Sequence, residues 1–303
     1  MIKVLNMDNK NLKFANILKI IRPHQWVKNT LIFIPMLMSH QLSIDNFILT
    51  LNAFITFSLI ASSIYVINDI ADIESDKKHP FKRYRPLASG LINIIQCKMI
   101  IFFLLLTCTL ILFTTNMNFF LVILAYFIIS NLYTFYFKKF AFIDLLILST
   151  LYTWRIIAGG SITEISVSIW LISFSIFFFI SLAAVKRQIE FLNFRKINKA
   201  EIAGRGYKLK HENIVYKISI ISSSISILVL IFYINSTQVL NLYSFPIIMW
   251  GICIIMLFWI SRIILIAKKG KIKDDPIVFA IKDKISYLCL IFILCIIWLG
   301  ITI

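Results

Sequence analysis

The residues of this chain best equipped for chemistry are the acids of NDIADIESD, Asn68–Asp76. Four of the chain's 14 acidic residues fall in this short stretch, at the end of a strongly apolar run. Acids are costly near lipid and are seldom kept there without a task. If one helix continues through the segment, Asp69, Asp72 and Asp76 share a face at i, i+3 and i+7, with Asn68 beside them. Hard oxygen donors so placed suit Mg²⁺ that is also held by substrate phosphates. Asn68, Asp69, Asp72 and Asp76 are therefore the expected metal ligands, the three aspartates the expected catalytic group, and a magnesium diphosphate the expected ligand. A solvated helix end that happens to be acidic is the plainer alternative.

Cations follow directly. KKHPFKRYRPLASG, Lys77–Gly90, is marked as a loop by Pro80, Pro86 and Gly90. Lys82, Arg83 and Arg85 could close over phosphates from it, with Arg85 the preferred contact. AAVKRQIE places Lys186, Arg187 and Glu190 on one face of a continuing helix. Either an ion pair with membrane-anchoring cations or a second phosphate-binding corner fits that face. Arg155, in LYTWRIIAGG, lies inside an apolar run, where an arginine faces a polar cavity or a partner acid. Asp144 is three turns away on the same helix, too far to pair with it directly. In RPHQWVKN, Trp26 is explained as an interfacial anchor, whereas Lys28 and Asn29 point into the start of a run, and Lys28 is taken as a substrate contact. The five cysteines and four histidines show no ligand spacing, so neither disulfides nor a zinc site is expected.

The elements that carry these residues must lie in a membrane. Hydrophobic residues make up 60% of the 303-residue chain, and its mean hydropathy of +0.89 excludes an ordinary soluble domain. Apolar runs long enough to cross a bilayer number nine, at about 26–42, 47–68, 92–114, 118–137, 141–160, 168–185, 217–235, 245–266 and 285–303. The expected fold is thus all-α: one polytopic membrane domain over 1–303, with 1–25 a cytoplasmic or interfacial segment. Asn11–Arg22 reads as an amphipathic surface helix ending at Pro23. No small-residue cleavage site follows, so no signal peptide is expected. The long connections Asp69–Gln96 and Lys186–Val215 each follow an even-numbered run, a faint hint of duplication. Asp275-Pro276 looks like the N-cap and first turn of a short helix.

Charge sets the orientation. Apart from Arg155, every Lys and Arg precedes or opens the first run, or lies in or beside the connections after runs two, four, six and eight. The opposite connections carry none. By the positive-inside rule the N-terminus is cytoplasmic, and the acidic motif faces the cytoplasm of a bacterial plasma membrane. The net charge of +17 is a one-sided field that would draw anionic headgroups or a phosphorylated cytoplasmic small molecule. Nucleic acid is not an expected partner, because the basic residues sit in short connections between runs.

These residues, in this order, resemble the UbiA superfamily of intramembrane prenyltransferases. The superfamily's first motif, NDxxDxxxD, is matched by Asn68, Asp69, Asp72 and Asp76, with RPLASG behind it and Asp144 and Arg155 in the fifth run. The resemblance implies Mg²⁺ as cofactor and a lipid substrate, polyprenyl phosphate or prenyl diphosphate. Aromatic prenyltransferases of the family carry a second acidic motif, DxxxD, after the sixth span; here that place reads KRQIE. KRxxE, RPHQWVKN and DPIVFAIKD look instead like the branch containing decaprenyl-phosphate phosphoribosyltransferase. That branch implies transfer of phosphoribosyl from phosphoribosyl pyrophosphate to a polyprenyl phosphate, with Lys28, Asn68, Arg85, Arg155, Lys186, Arg187 and Glu190 on the substrates. A prenyl transfer to an aromatic acceptor is the alternative within the family. An anion or lipid transporter without chemistry is the alternative of another class, although the acids cluster at an interface and paired broken helices are lacking.

Overall fold

The computed structural model describes residues 9–78, 82–195, 205–272 and 275–302. Lys3, His79, Pro80, Lys196, Lys199 and Lys273, read above as loop or inner-face residues, lie outside the described residues. The elements described are all helical. Helix α1 spans Asn9–Ile21, a 3-10 segment spans Pro23–Phe33, and α2 is the short Ile34–Met38. Then come α3 (Ile44–Ala71), α4 (Ile73–Lys77), α5 (Ile94–Leu112), α6 (Met117–Phe135), α7 (Ile143–Thr163) and α8 (Ile169–Arg195). The chain continues with α9 (Glu212–Ile234), α10 (Thr237–Leu242), α11 (Trp250–Lys268), α12 (Pro276–Ala280) and α13 (Lys284–Thr302).

Among the described residues, seven helical stretches are long and apolar enough to cross a membrane: α3, α5, α6, α7, α8, Leu209–Ile234 and Pro246–Lys268. Lys284–Gly300 is a shorter apolar helix. The protein is an integral membrane protein. Helix α5 shows why: beyond Lys98 it is largely apolar on every face, with Cys108 buried while Phe102, Phe103 and Leu110 are exposed, a face made for lipid.

The first expected span departs from an α-helix for a local reason. Pro35 lacks the N–H that would bond the Leu31 carbonyl, and its ring crowds that carbonyl. The Ile34 N–H bonds Leu31 instead, an i→i−3 link at the point where the 3-10 segment Pro23–Phe33 gives way to α2. Helices α3 and α7 hold this segment. Small residues Ala53, Ala61, Ser62 and Ser63 are buried along α3. The hydroxyls of Thr50, Thr56 and Ser58 bond carbonyls one turn back, which makes them tolerable in an apolar setting.

The chain divides into two compact units, 1–136 with 154–166, and 137–153 with 167–303. In the first, Gly159 of α7 abuts the 3-10 segment so closely that a Cβ there would meet the Ile32 carbonyl oxygen at 2.0 Å. Gly159→Ala is therefore expected to destabilise the protein by about 1–3 kcal/mol, since backbone rather than a pliant side chain must give way. Thermal unfolding in detergent measures this, and an unchanged midpoint would contradict the close approach. In the second unit, α8 and α9 pack along their length over Leu145, Ala183, Ala184, Phe191, Tyr207 and Val215.

Candidate functional site

In the first unit, three charged residues are brought together by the apolar residues next to them. Ile20, Val66, Leu87, Ile92 and Cys97 form one buried cluster. Arg22 lies two residues beyond Ile20, Asp69 three beyond Val66, and Arg85 two before Leu87. Packing of α1, α3 and the RPLASG turn thus delivers two guanidinium groups to one carboxylate. Arg22 Nη2 lies 2.5 Å from Asp69 Oδ1. Arg85 Nη1 lies 3.0 Å from the same oxygen and 2.5 Å from Asp76 Oδ2. Asp69 and Asp76 are each only 2% exposed.

The helix does not run unbroken through the acidic motif. Asp72 ends α3 with φ −99° and ψ 7°, outside α geometry, and α4 restarts at Ile73. Asp69 and Asp76 still converge on Arg85, and Asn68 and Asp72 are half-buried beside them. Glu74 is exposed and pairs with Lys77, a solvated surface bridge of little energetic weight.

The donor set suits a hard divalent cation in its chemistry, because it is built of oxygen. Asp69 Oδ2 is buried and no hydrogen-bond donor among the described residues reaches it. A buried acceptor left so is costly and asks for a partner. The arrangement is not a ready cage, however. Among the described residues no group of three His, Cys, Asp or Glu stands poised around one ion, and Asp69 Oδ1 and Asp76 Oδ2 are turned to guanidinium nitrogens.

Deeper in the same unit, Arg155 is 4% exposed. Its Nε donates to Asn29 Oδ1 at 2.9 Å and its Nη2 to the Tyr126 hydroxyl at 3.0 Å. The guanidinium also lies over the Phe57 and Tyr126 rings. Asn29 in turn donates to Ser58 Oγ. Lys28, next to Asn29, is buried.

In the second unit, helix α8 continues through AAVKRQIE as expected. Arg187 is wholly buried and lies between two acids: Nε is 2.8 Å from Asp144 Oδ2, and Nη1 is 2.5 Å from Glu190 Oε1. Arg205 reaches the same pair, 3.2 Å from Asp144 and 3.6 Å from Glu190. The Tyr207 hydroxyl donates to Asp144 Oδ1 and accepts from the Phe142 N–H. Burial, and then the Asp144 charge, hold that hydroxyl well above the ordinary tyrosine range. Gly206 lets the segment in: a Cβ there would meet the Lys139 carbonyl oxygen at 2.3 Å. Arg187 is thus tied into a buried ion network that positions its neighbours.

Lys186 is placed differently. Its Nζ lies 3.2 Å from Asp275 Oδ2, and the Tyr152 hydroxyl lies 3.5 Å from the same oxygen. Asp275 Oδ1 accepts from the Ile277 N–H, confirming Asp275-Pro276 as cap and first turn of α12. The other end of DPIVFAIKD is also a cap: Asp283 accepts from the Ser286 N–H at the start of α13. A two-toothed pair with Arg262, at 2.6 and 2.9 Å, pulls the Asp283 carboxyl down to about 2. Arg22, Arg205, Tyr207 and Asp275 are thus parts of these clusters that residue spacing did not select.

Comparison with known proteins agrees with this fold. The model of the UbiA prenyltransferase family matches residues 30–205. The chain is 30% identical over 284 residues to nodulation protein NoeC of Azorhizobium caulinodans, covering 92% of this chain and 91% of that one. It is 34% identical over 269 residues to the uncharacterized protein y4nM of Sinorhizobium fredii, 88% of this chain and 52% of y4nM, and so spans about half that relative's length. It is 33% identical over 181 residues to decaprenyl-phosphate phosphoribosyltransferase of Mycobacterium tuberculosis, 58% of this chain and 60% of that enzyme. A UbiA homolog from Archaeoglobus fulgidus, solved bound to GPP and Mg²⁺, superposes with a TM-score of 0.69 at 16% identity, over 93% of this chain and 99% of that one. At that identity the likeness is one of fold.

Proposed function

This chain belongs to the UbiA prenyltransferase family, and from that premise we propose that it is a Mg²⁺-dependent membrane transferase moving phosphoribosyl from phosphoribosyl pyrophosphate to a polyprenyl phosphate. One observation carries the choice of donor. In the second unit the acids Asp144, Glu190 and Asp275 are each engaged by Arg187, Arg205 or Lys186. With their charges balanced by these three bases, the acids are not free to form the second carboxylate motif that would cage a prenyl diphosphate, while Lys186, its side chain 32% exposed, is accessible to a phosphate. Such an arrangement suits a donor that carries a further phosphate and an acceptor that is itself a phosphate.

In this reading the whole chain is one membrane domain crossing nine times, with its N-terminus and site on the cytoplasmic side of a bacterial plasma membrane. The one-sided distribution of cations supports that orientation. Length arithmetic supports the first crossing: the 3-10 segment contributes roughly 22 Å and α2 roughly 7.5 Å more, near the ~30 Å of a hydrocarbon core.

Asn68, Asp69, Asp72 and Asp76 would hold the cation, whose chemistry is to neutralise the departing diphosphate. A phosphate oxygen of the acceptor attacks ribose C1 as the bond from C1 to the diphosphate oxygen breaks. The acceptor is already ionised, so no strong base is needed and the carboxylates act electrostatically. In the first unit Arg85 would meet a phosphate and Lys28 and Arg155 the acceptor; in the second, Lys186 would meet a phosphate, on the helix turn that Arg187 and Glu190 hold.

Purified protein in detergent is expected to release pyrophosphate from phosphoribosyl pyrophosphate only when both polyprenyl phosphate and Mg²⁺ are present. Release from a prenyl diphosphate with an aromatic acceptor, and none from phosphoribosyl pyrophosphate, would move the chain to the aromatic branch. Flux of a phosphorylated solute in proteoliposomes without any pyrophosphate release would make it a transporter.

A further inference from the structure

Arg22 opens RPHQWVKN, where the sequence gives it no role of its own, yet it makes a 2.5 Å contact with the buried Asp69. Its backbone is left-handed, with φ 55° and ψ 60°, a conformation that a residue with a side chain adopts at a cost. Pro23 disfavours the right-handed helical alternative for the residue before it. The Ile21 carbonyl is fixed by Ser62 Oγ at 2.9 Å, and Ser62 is fixed by Trp26 Nε1 at 2.9 Å. The Arg22 guanidinium also lies over the Tyr65 ring, 5.4 Å from its centroid. A lipid-anchoring cation needs none of this. Strain held by surrounding bonds is the pattern of a side chain aimed at a site.

Resting on the metal–diphosphate reading of Asn68–Asp76 given above, we propose that Arg22 is a diphosphate-binding residue. Its pairing with Asp69 is exchanged for one with the diphosphate when Asp69 takes up the divalent ion. Three observations fit this exchange. Asp69 Oδ1 is already shared by two guanidinium groups, so a divalent ion must displace positive charge to bind there. Asp69 Oδ2 is buried and reached by no donor among the described residues, so the carboxylate keeps one oxygen for another ligand. The two arginine side chains are 18% and 25% exposed against 2% for Asp69, so the arginines can swing toward a ligand while the carboxylate stays. A displaced guanidinium needs a new anion, and the diphosphate supplies one. Uptake of the ion and of the diphosphate is therefore coupled.

The test is Mn²⁺ binding to the full-length protein in detergent, read by electron paramagnetic resonance, with and without pyrophosphate at matched free Mn²⁺. Pyrophosphate is expected to raise the wild-type Mn²⁺ affinity roughly ten-fold. Arg22→Gln should bind Mn²⁺ several-fold more tightly than wild type without pyrophosphate and lose most of the gain with it. Arg22→Lys keeps the charge on Asp69 but not the planar fork, and should show a reduced gain. Arg22→Gln that binds Mn²⁺ no better than wild type, or keeps the full gain, overturns the exchange and leaves Arg22 as a brace between α1 and α3. Absence of any pyrophosphate gain in the wild type overturns it without a variant. If Asp69→Asn binds Mn²⁺ like wild type, the metal reading itself falls, and the exchange with it.

Discussion

Asp69→Asn is expected to lower pyrophosphate release by about a thousand-fold or more at saturating Mg²⁺, with the protein still folded. Asparagine keeps the volume of the side chain and one carbonyl oxygen but removes the charge that a divalent cation requires. Loss of the leaving-group stabilisation that such an ion supplies is worth several kcal/mol, and each ~1.4 kcal/mol is a factor of ten in rate. The fold should survive because the two arginines released from Asp69 are partly exposed and can be solvated. Asp76→Asn should behave similarly, since Asp76 shares Arg85 with Asp69 at 2.5 Å. Asp72→Ala should also abolish turnover if the residue that breaks the helix is a ligand as well. Glu74→Gln is the control, because Glu74 is exposed and pairs with its helical neighbour Lys77, and the change should alter the rate less than about two-fold. A rate for Asp69→Asn within ten-fold of wild type would reduce the motif to an acidic helix end. Single-turnover release of pyrophosphate, with thermal unfolding as the folding check, decides between them.

What was legible in the sequence is whatever depends on local pattern. Apolar length located α3, α5, α6, α7 and α8, and the Asp275-Pro276 pair marked the start of α12. Pro23 marked the end of α1. The acidic motif announced itself by composition. The 3-10 winding of Pro23–Phe33 was not legible, because hydropathy is indifferent to whether a segment rises 1.5 or about 2.0 Å per residue. Pairings across long sequence separations were hidden for a different reason. Asp144 meets Arg187 across 43 residues of chain and Tyr207 across 63, and nothing local to either end predicts the other. Helical spacing did group Lys186, Arg187 and Glu190, but it could not tell that Arg187 turns wholly inward while Lys186 reaches Asp275. Arg22 was read as part of an amphipathic surface helix. Only the packing of Ile20 against Val66 and Leu87 brings it to Asp69.

Asp144→Asn is expected to be the most destabilising single change in the second unit. It would leave Arg187, which is 0% exposed, with one acid in place of two, and would weaken the hold on Arg205. Removing one partner of a buried ion pair costs about 3–5 kcal/mol, because the remaining charge stays out of water. For a protein of this size that corresponds to a fall on the order of 5–10 °C in the thermal midpoint. Arg187→Met in the same background removes the stranded charge, so the double variant should be more stable than Asp144→Asn alone; strict additivity would mean the network carries no coupling. Tyr207→Phe deletes only the hydroxyl that donates to Asp144 and should cost about 1.5–3 kcal/mol. That hydroxyl also fixes a pH dependence. Its folded pKa lies above the unfolded value, so the stabilisation is complete below about pH 10 and declines as the pH rises past it. Tyr207→Phe should therefore remove part of the alkaline loss of stability while leaving the midpoint at neutral pH lowered. Because Arg187 holds the helix turn that carries Lys186, Asp144→Asn should also raise the apparent KM for the phosphorylated donor. An unchanged KM in an Asp144→Asn protein that has lost stability would separate the ion network from the site.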